Sequence, residues 1–491
     1  MSKILRTNGS PADSRERPRS AANLTGKGAP EAVRLEGFPV DLDFPQLTVA
    51  CDPNAMLNVF RRHLRPAQGK VYRIESCVPY RFRFRQSTAR CVLQYELSIG
   101  EPHASSRRTL WVTGLLYANE GEADLTWEEL KASGGPPAIP DDWRTFEPAC
   151  LIPELHMLVQ VFPLDRRLPN LLSILGGAMS DLEPLLLDRF GAGRWQLNQR
   201  RMEPTRYRTE LGAALRYTIQ AREAESSNVR SLRCYVKVYR DDRGANTLQL
   251  LQLLRREVDR GRLPFDVVRP IAYLDRVRAL VLEEAPGRSL TQLLTEGTDP
   301  ETTLRRVAQA VAAFNQSDVA IPRYETREKQ LKDVRLAANL VRWARPELRP
   351  TVDQIAASVE NGIEEVPLRP IHGDLKADHV FLSGDRVVFI DLDSAARADP
   401  VRDPAHLASY LAGGVGLQDA QPTLIGAASA AFLDEYFRRV PSSWRRRFPL
   451  HYAGALLEVA SGIFRRQEPR WPEKIAAVIE LAQEALFEGY S

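Results

Sequence analysis

The residues with the strongest chemical content lie in one segment, PIHGDLKADHVFLSGDRVVFIDLD, which begins at residue 370. Two short apolar runs, HVFL and RVVFI, are joined by the turn residues SGD, and this pattern predicts a β-hairpin. Asp374 precedes the first run and Asp391 ends the second, so the hairpin returns Asp391 to the neighbourhood of Asp374 and His379. Two carboxylates at one mouth, with Lys376 between them in the sequence, suit phosphoryl transfer. One carboxylate can orient an attacking hydroxyl while the other holds a magnesium ion that bridges phosphates.

The elements upstream contain a long internal repeat at an offset of 122 residues. CVLQYELSI at 91–99 matches AALRYTIQA at 213–221, and LWVTGLLY, ending at Tyr117, matches LRCYVKVY, ending at Tyr239. LVQVFPLDRRLPNLL at 158–172 matches LVLEEAPGRSLTQLL at 280–294 at the same offset. Three matches at one offset predict a tandem duplication of a β-rich unit.

The two copies differ where chemistry could take place. The second copy has Lys237 in the apolar strand YVKVY, where a lone lysine must either reach outward to solvent or meet an anion. The first copy has Leu115 at that position, and it has Phe162 where the second has Glu284. The first copy therefore has the predicted strands but lacks the charged side chains that the second copy has at these two positions.

Helical patterning takes over after residue 295. Leu304, Val307, Val311 and Phe314 follow helical spacing, and further helices are predicted near 424–438, 450–466 and 473–488. Strand-rich units followed by a helical region predict an α+β fold.

Composition limits the classes of function. The 491 residues predict two to four folded units, and the apolar fraction of 44% with 26% charged residues is ordinary for a soluble globular protein. A net charge of +4 is too small over this length to indicate a nucleic-acid partner. The five cysteines form no CxxC pair, which predicts neither a disulfide framework nor a thiolate zinc site and fits a reducing cytoplasm.

The ends of the sequence predict no targeting to a membrane. Residues 1–36 are rich in Ser, Pro, Gly, Arg and Asn, which predicts a disordered tail. The first twenty residues lack the apolar core of a signal peptide, and no run of about 18 apolar residues occurs to span a bilayer. We therefore expect a cytoplasmic protein without a membrane partner, and the sequence leaves its oligomeric state open.

The ordered set HGDLKADHV, FIDLD and ADPVRDPAHLA resembles the catalytic signature of the aminoglycoside phosphotransferase and choline kinase-like family. The usual pattern of that family is HGDxxxxN, then IDF or IDW with an acidic residue, then GDPxxDLA. The resemblance covers about residues 200–465, and it implies a protein kinase-like fold with a β-rich small lobe and a helical large lobe. YVKVY looks like the strand with the nucleotide-binding lysine, and LVLEEAPGRSL looks like the hinge between the lobes.

The resemblance implies ATP and Mg²⁺ as cofactors and a small hydroxylated molecule as the acceptor. By position, Asp374 matches the catalytic base, Asp391 the magnesium ligand and Lys237 the lysine that contacts the α- and β-phosphates. Lys376 would neutralise charge on the transferring phosphoryl group, and Glu257 is a candidate partner for Lys237. The residues expected to meet the adenine through their backbone are Glu283, Glu284 and Ala285.

Two positions depart from the family pattern. His379 stands where the family has its asparagine, so the second metal ligand is an imidazole or is missing, and magnesium prefers oxygen ligands. His379 could instead hydrogen-bond Asp374, or Asp378 could supply the oxygen. The phosphate-covering loop has no GxGxxG, which leaves backbone amides aided by Arg206 or Arg208. His372 and Asp403 are expected to brace the catalytic loop.

The sequence thus predicts an ATP-dependent small-molecule phosphotransferase. The expected domains are a tail at 1–36, a degenerate small-lobe-like unit at 50–175, a kinase-like N-lobe at 176–287 and a helical C-lobe at 288–491. A pseudokinase that senses nucleotide or binds a partner protein is the alternative, and a protein kinase is a weaker one. The first unit would be a cap or a regulatory module.

Overall fold

The computed structural model describes residues 39, 41–85, 90–101, 107–132, 135, 137–225 and 228–487, so the tail expected at 1–36 lies outside the described residues. Two five-stranded antiparallel sheets precede a region that is mostly helical. This separation confirms the predicted α+β class with a β-rich part and a helical part. No helix in these ranges is long and apolar enough to cross a membrane.

The first sheet has the strand order β1–β2–β3–β5–β4, and a short helix packs on β1. Its buried face holds alternate side chains of the strands, such as Leu93, Tyr95 and Leu97 of β2, none of which is exposed. The elements of this part are α1 (Leu47–Ala50), α2 (Pro53–His63), β1 (Arg73–Arg85), β2 (Arg90–Gly100), β3 (Arg107–Tyr117), α3 (Glu120–Ala132), β4 (Ala149–Ile152) and β5 (Met157–Val161).

The second sheet has the order β6–β7–β8–β11–β10, and a seventeen-residue helix, α6, packs on it. The elements are α4 (Asn170–Leu175), α5 (Glu183–Asp188), β6 (Trp195–Arg208), β7 (Gly212–Glu223), β8 (Val229–Tyr239), α6 (Arg243–Asp259), β9 (Asp266–Val267), β10 (Pro270–Leu274) and β11 (Ala279–Glu283).

The two sheets share strand order, and the β7–β8 and β8–β11 pairs have the same register as the β2–β3 and β3–β5 pairs. β6, β7, β8, β10 and β11 occupy the places of β1, β2, β3, β4 and β5. At the offset of 122 residues, Leu115 pairs with Leu158 in the first sheet, as Lys237 pairs with Leu280 in the second. A left-handed residue precedes β5 and β11 alike, His156 in one sheet and Arg278 in the other.

The remaining elements form a helical region that holds two small sheets. The apolar positions predicted from helical spacing are buried in α8, and β14 and β15 pair antiparallel as the predicted hairpin. The elements are β12 (Arg288–Ser289), α7 (Leu290–Glu296), α8 (Pro300–Gln316), α9 (Arg327–Ala344), α10 (Arg349–Gly362), β13 (Arg369–Ile371), β14 (Val380–Ser383), β15 (Arg386–Phe389), β16 (Ala396–Ala398), α11 (Arg402–Ala412), α12 (Pro422–Arg439), α13 (Ser442–Arg445), α14 (Phe448–Arg465) and α15 (Trp471–Phe487).

The first sheet packs directly against the helical region through aromatic side chains of β1. The Trp343 ring of α9 stacks on Phe82 with ring centroids 5.6 Å apart and on Phe84 at 6.1 Å. Phe464 of α14 meets Phe82 and Trp343 edge-on. Buried aromatic contacts of this kind contribute beyond the apolar area that they bury, so they fix β1 beside α14.

Candidate active site

The catalytic loop lies between β13 and β14, and a buried carboxylate holds its backbone. Asp403, at the start of α11, accepts hydrogen bonds from the main-chain N–H groups of His372 at 2.8 Å and of Gly373 at 3.0 Å. This confirms the predicted bracing role of Asp403. Gly373 has a φ of 78°, and a Cβ there would lie 2.3 Å from the carbonyl oxygen of Ser394, so only glycine fits.

Asp374 follows at the open end of this loop with about a third of its side chain exposed, and cationic or polar groups surround it. Lys376 Nζ lies 3.1 Å from Asp374 Oδ2, and His406 Nε2 lies 3.8 Å from Asp374 Oδ1. Burial alone would raise the pKa of Asp374, but Lys376, His379 and His406 together hold it below its ordinary value. The carboxylate is therefore ionised at neutral pH.

Asp391 lies directly after β15, and the hairpin brings it to Asp374 as the sequence predicted. Its backbone is left-handed, with a φ of 58°. Lys237 Nζ lies 2.6 Å from Asp391 Oδ1, and His379 Nε2 lies 3.0 Å from Asp391 Oδ2. Burial would raise the pKa of Asp391, but Lys237 and His379 lower it well below its ordinary value.

His379 is buried between the two carboxylates. Its Nδ1 lies 2.9 Å from the main-chain oxygen of Asp374 and 3.6 Å from Asp374 Oδ2, while its Nε2 faces Asp391. Both close partners are acceptors, so the imidazole ties the catalytic loop to the end of the hairpin. Asp378, the alternative oxygen donor, is turned away and accepts a hydrogen bond from the hydroxyl of Thr291 at 2.7 Å.

The group formed by Asp374, His379 and Asp391 fits a divalent cation, because one ligand atom from each lies within 4.8 Å of the others. Magnesium takes carboxylate oxygens in preference to imidazole nitrogen. Both nitrogens of His379 face protein oxygens in this structure. The donor set therefore suits a magnesium ion on Asp391, with His379 holding that carboxylate in place.

Lys237 lies at the centre of an ion-pair network below the second sheet. Besides Asp391, its ammonium lies 2.7 Å from Asp393 Oδ2, and the hydroxyl of Tyr239 donates to Asp393 at 3.0 Å. Burial would lower the pKa of Lys237, but Asp393 and Asp391 raise it well above the ordinary lysine value. The lysine thus keeps its charge and faces the same mouth as Asp391.

The sequence prediction that Glu257 pairs with Lys237 is wrong. Glu257 accepts hydrogen bonds from Arg262 at 2.9 Å and Arg260 at 2.8 Å instead. The reason is the phase of α6: Thr247 is the residue of this helix that reaches the network, and its hydroxyl lies 3.3 Å from Asp393 Oδ1. Glu257 lies near the C-terminal end of α6, ten residues later in the chain.

The predicted hinge follows β11, and its side chains point away from the site. The Glu283 carboxylate pairs with Arg189, and Glu284 Oε2 lies 2.9 Å from Arg233 Nε. The main-chain N–H of Glu283 donates to the carbonyl of Arg269. Glu284 and Ala285 follow directly after the last residue of β11, at the predicted hinge position.

The turn between β6 and β7, which takes the place of a glycine-rich loop, is fixed by the first sheet. Glu210 at its tip is buried, and its carboxylate accepts from Arg90 of β2 at 2.7 Å and from Arg83 of β1 at 2.9 Å. The Glu210 N–H donates to Asp165 Oδ2 at 2.7 Å. Contacts from the first sheet and from Asp165 thus hold this turn, which has no GxGxxG motif, in one position.

Sequence reasoning missed Asp393, Tyr239 and His406 as members of the site. The second acid of the IDLD motif lies two residues after Asp391, and this spacing was the available signal for Asp393. His406 holds the loop through Nδ1, 2.7 Å from the Leu375 carbonyl oxygen, but a single histidine on a helix gives no signal in the sequence.

Comparison with known proteins gives one family and several solved structures. Residues 216–447 match the phosphotransferase enzyme family. The ADP-bound aminoglycoside phosphotransferase APH(2'')-Ib is 12% identical with a TM-score of 0.39, covering 62% of this chain and 99% of that one. The choline kinase LicA from Streptococcus pneumoniae is 14% identical with a TM-score of 0.40, covering 64% and 99%.

A third similar structure is the amicoumacin kinase hAmiN in complex with AMP-PNP, Ca²⁺ and Ami, which is 14% identical with a TM-score of 0.41 and covers 63% of this chain and 93% of that one. The search of curated proteins gave no match. The match of residues 216–447 to the phosphotransferase enzyme family agrees with the family that the sequence motifs resemble.

Proposed function

We propose that the protein transfers the γ-phosphoryl group of ATP to a hydroxyl group of a small molecule. The observation that carries this proposal is the convergence of Asp374, Asp391 and Lys237 at one mouth between the second sheet and the helical region. One ligand atom each from Asp374, His379 and Asp391 lies within 4.8 Å of the others, and Lys237 contacts Asp391. Positioning and charge stabilisation are what phosphoryl transfer requires of a protein.

Asp374 orients the acceptor in this proposal. Its ionised carboxylate accepts a hydrogen bond from the attacking hydroxyl, and as the catalytic base it takes up that proton as the oxygen bonds to the γ-phosphorus and ADP leaves. Lys376, 3.1 Å from Asp374, supplies positive charge beside the transferring phosphoryl group.

Lys237 binds the nucleotide phosphates in this proposal, and Asp391 holds magnesium. The metal, when bound, neutralises charge on the phosphates. Asp393 keeps Lys237 in place when Asp391 serves the metal, because it holds the same ammonium at 2.7 Å. His379 positions Asp391, and the backbone of Glu284 and Ala285 meets the adenine.

In this proposal residues 50–175, which contain the first sheet, form a cap that is part of the working enzyme. It has Leu115 where the second sheet has Lys237, so it would not bind ATP by itself. Its contacts to Glu210 support a role in holding the β6–β7 turn over the nucleotide. A cytoplasmic location agrees with the sparse, unpaired cysteines.

A pseudokinase remains the second candidate, and the imidazole at His379 is the observation that favours it. An active enzyme adapted to histidine loses turnover in His379→Asn, whereas an inactive one gains it. The measurement is ADP release with Mg²⁺ and a set of hydroxylated small molecules.

The role of Asp374 is tested by Asp374→Asn. General-base groups contribute about 10²- to 10⁴-fold, so kcat should fall by that factor while ATP binding persists. Asp385→Asn is the matched control, because Asp385 lies on the turn of the same hairpin with its side chain 93% exposed. Equal turnover in Asp374→Asn and the control would exclude Asp374 as the base.

A further inference from the structure

A cavity of about 310 Å³ has Asp374 in its wall. Four parts of the chain line it: β1 of the first sheet, the β6–β7 turn, the catalytic loop and the end of α14. Asp374 and Lys376 are in its wall, whereas Lys237, Asp391 and Glu283 are not. The cavity therefore lies where the acceptor, not the nucleotide, would bind.

Positive charge dominates this wall. Seven of its side chains are cationic and two are acidic. One of the two acids is Glu458, and burial raises its pKa above the ordinary value, which reduces its ability to neutralise its neighbours. The cationic side chains are Arg81, Arg83, Arg206, Arg208, Lys376, Arg465 and Arg466.

Part of this charge already has a protein partner. Arg83 pairs with Glu210, Lys376 pairs with Asp374, and Arg466 Nε donates to Glu468 at 2.9 Å. Arg465 donates hydrogen bonds to oxygens of Ser461, which carries no charge, and the buried Glu458 of the same wall acts on it electrostatically. Arg206 Nη1 lies 4.0 Å from Asp391 Oδ2.

Arg81 of β1 forms no ion pair within the described residues, and Arg208 at the end of β6 interacts with Asp374 and Asp391 only beyond ion-pair distance. Arg81 Nε is buried without a hydrogen bond. Burial, together with the neighbouring Arg208 and Arg206, lowers the pKa of Arg81 to about 10. Guanidinium groups that repel one another inside a cavity are stabilised by an anion that enters it.

We propose that the acceptor carries an anionic group, a phosphate ester or a carboxylate, and that Arg81 of the first sheet and Arg465 of α14 hold that group while Asp374 orients its hydroxyl. The assignment rests on the proposed function for the role of Asp374 only. The first sheet then supplies part of the acceptor site, and a cationic acceptor is repelled by the same wall.

The test titrates inorganic phosphate, and separately citrate, into the full chain and into three variants. Arg81→Gln and Arg465→Gln remove one guanidinium each from different parts of the wall. Arg73→Gln is the matched control, because Arg73 is an exposed residue of the same strand outside this cavity. ATP with Mg²⁺ is titrated into every protein in parallel.

Phosphate or citrate should bind to the wild type and to Arg73→Gln, and binding should weaken about tenfold or more in Arg81→Gln and Arg465→Gln, as expected for a charge-assisted hydrogen bond. Stronger binding of phosphate than citrate assigns a phosphate ester, and the reverse assigns a carboxylate. ATP affinity should stay within about twofold in Arg81→Gln, because Arg81 lines a cavity whose wall does not include Lys237 or Asp391.

Three binding results overturn the proposal. Neither anion binds at about 50 mM, which is weaker than any affinity of use to an enzyme; the two arginine variants bind the anions as the control does; or ATP binding weakens as much as phosphate binding in Arg81→Gln, which assigns the arginines to the nucleotide. If the wild type binds phosphate but not ATP, the result contradicts the proposed function and leaves the anion site supported. Turnover of glycerol or choline in preference to glycerol 3-phosphate also overturns the proposal.

Discussion

The pairing of Lys237 with Asp393 rather than Glu257 yields a prediction with a built-in control. Asp393→Asn keeps one oxygen to accept from Tyr239 or Thr247, but it removes the negative charge that lies 2.7 Å from the lysine ammonium. Lys237 is then left with Asp391 as its acidic partner. In the proposed mechanism Asp391 also binds magnesium, so the Lys237 ion pair and the metal compete for the same carboxylate.

The size of the effect follows from the contact that is lost. Hydrogen bonds to charged groups contribute about 1.5–3 kcal/mol. At 1.4 kcal/mol for each factor of ten, the affinity for ATP with Mg²⁺ should fall about 10- to 100-fold in Asp393→Asn. The free energy of unfolding should fall by about 1.5–3 kcal/mol, because the network is shielded from solvent.

Glu257→Gln supplies the control, because Glu257 contacts Arg260 and Arg262, which follow the end of α6, rather than the site. Its ATP affinity should match that of the wild type. The assays are calorimetric titration of ATP with Mg²⁺ and urea unfolding of each protein. A loss of ATP affinity in Glu257→Gln with none in Asp393→Asn would refute the assignment of Asp393 as the functional partner of Lys237.

Two further predictions concern buried carboxylates that hold the helical region. Asp403→Ala leaves the main-chain N–H groups of His372 and Gly373 without a partner, so the free energy of unfolding should fall by about 2–6 kcal/mol. The kcat should fall more than the affinity for ATP. Urea unfolding and steady-state kinetics measure these effects, and an unchanged kcat would contradict the bracing role. Asp399 pairs with buried Arg447; burial would raise the pKa of Asp399, but His451 and Arg447 lower it. The stability that this pair contributes is present above the ordinary carboxyl pKa of about 3.9 and is lost as the pH falls towards the lowered value. Asp399→Asn should therefore be less stable than the wild type by about 3 kcal/mol at pH 7, with a smaller gap at about pH 3, and a gap that is constant with pH contradicts this.

Local patterns in the sequence were sufficient for the chemistry of the catalytic segment. Apolar alternation and the SGD turn specify the β14–β15 hairpin, and a hairpin brings its two ends together whatever surrounds it. That is why the approach of Asp391 to Asp374 could be predicted. The predicted tandem duplication at 122 residues stays a prediction; at that offset the β2–β3 and β7–β8 pairs have the same register.

Contacts between distant segments could not be predicted in the same way. Whether Thr247 or Glu257 of α6 reaches Lys237 depends on how the helix is rotated against the sheet, which packing decides. The place of Arg81 in the wall beside Asp374 depends on the packing of β1 against α14 through Trp343 and Phe464. Nothing within β1 itself indicates that its arginine shares a cavity with a residue almost 300 positions later.

The most direct test of the account is a calorimetric titration of ATP, with and without Mg²⁺, into the wild type and Asp391→Ala. We expect Mg²⁺ to strengthen ATP binding to the wild type and to have no such effect in the variant, because Asp391 is the carboxylate proposed to hold the metal. Absence of ATP binding to the wild type at millimolar nucleotide, or equal magnesium dependence in both proteins, would contradict it.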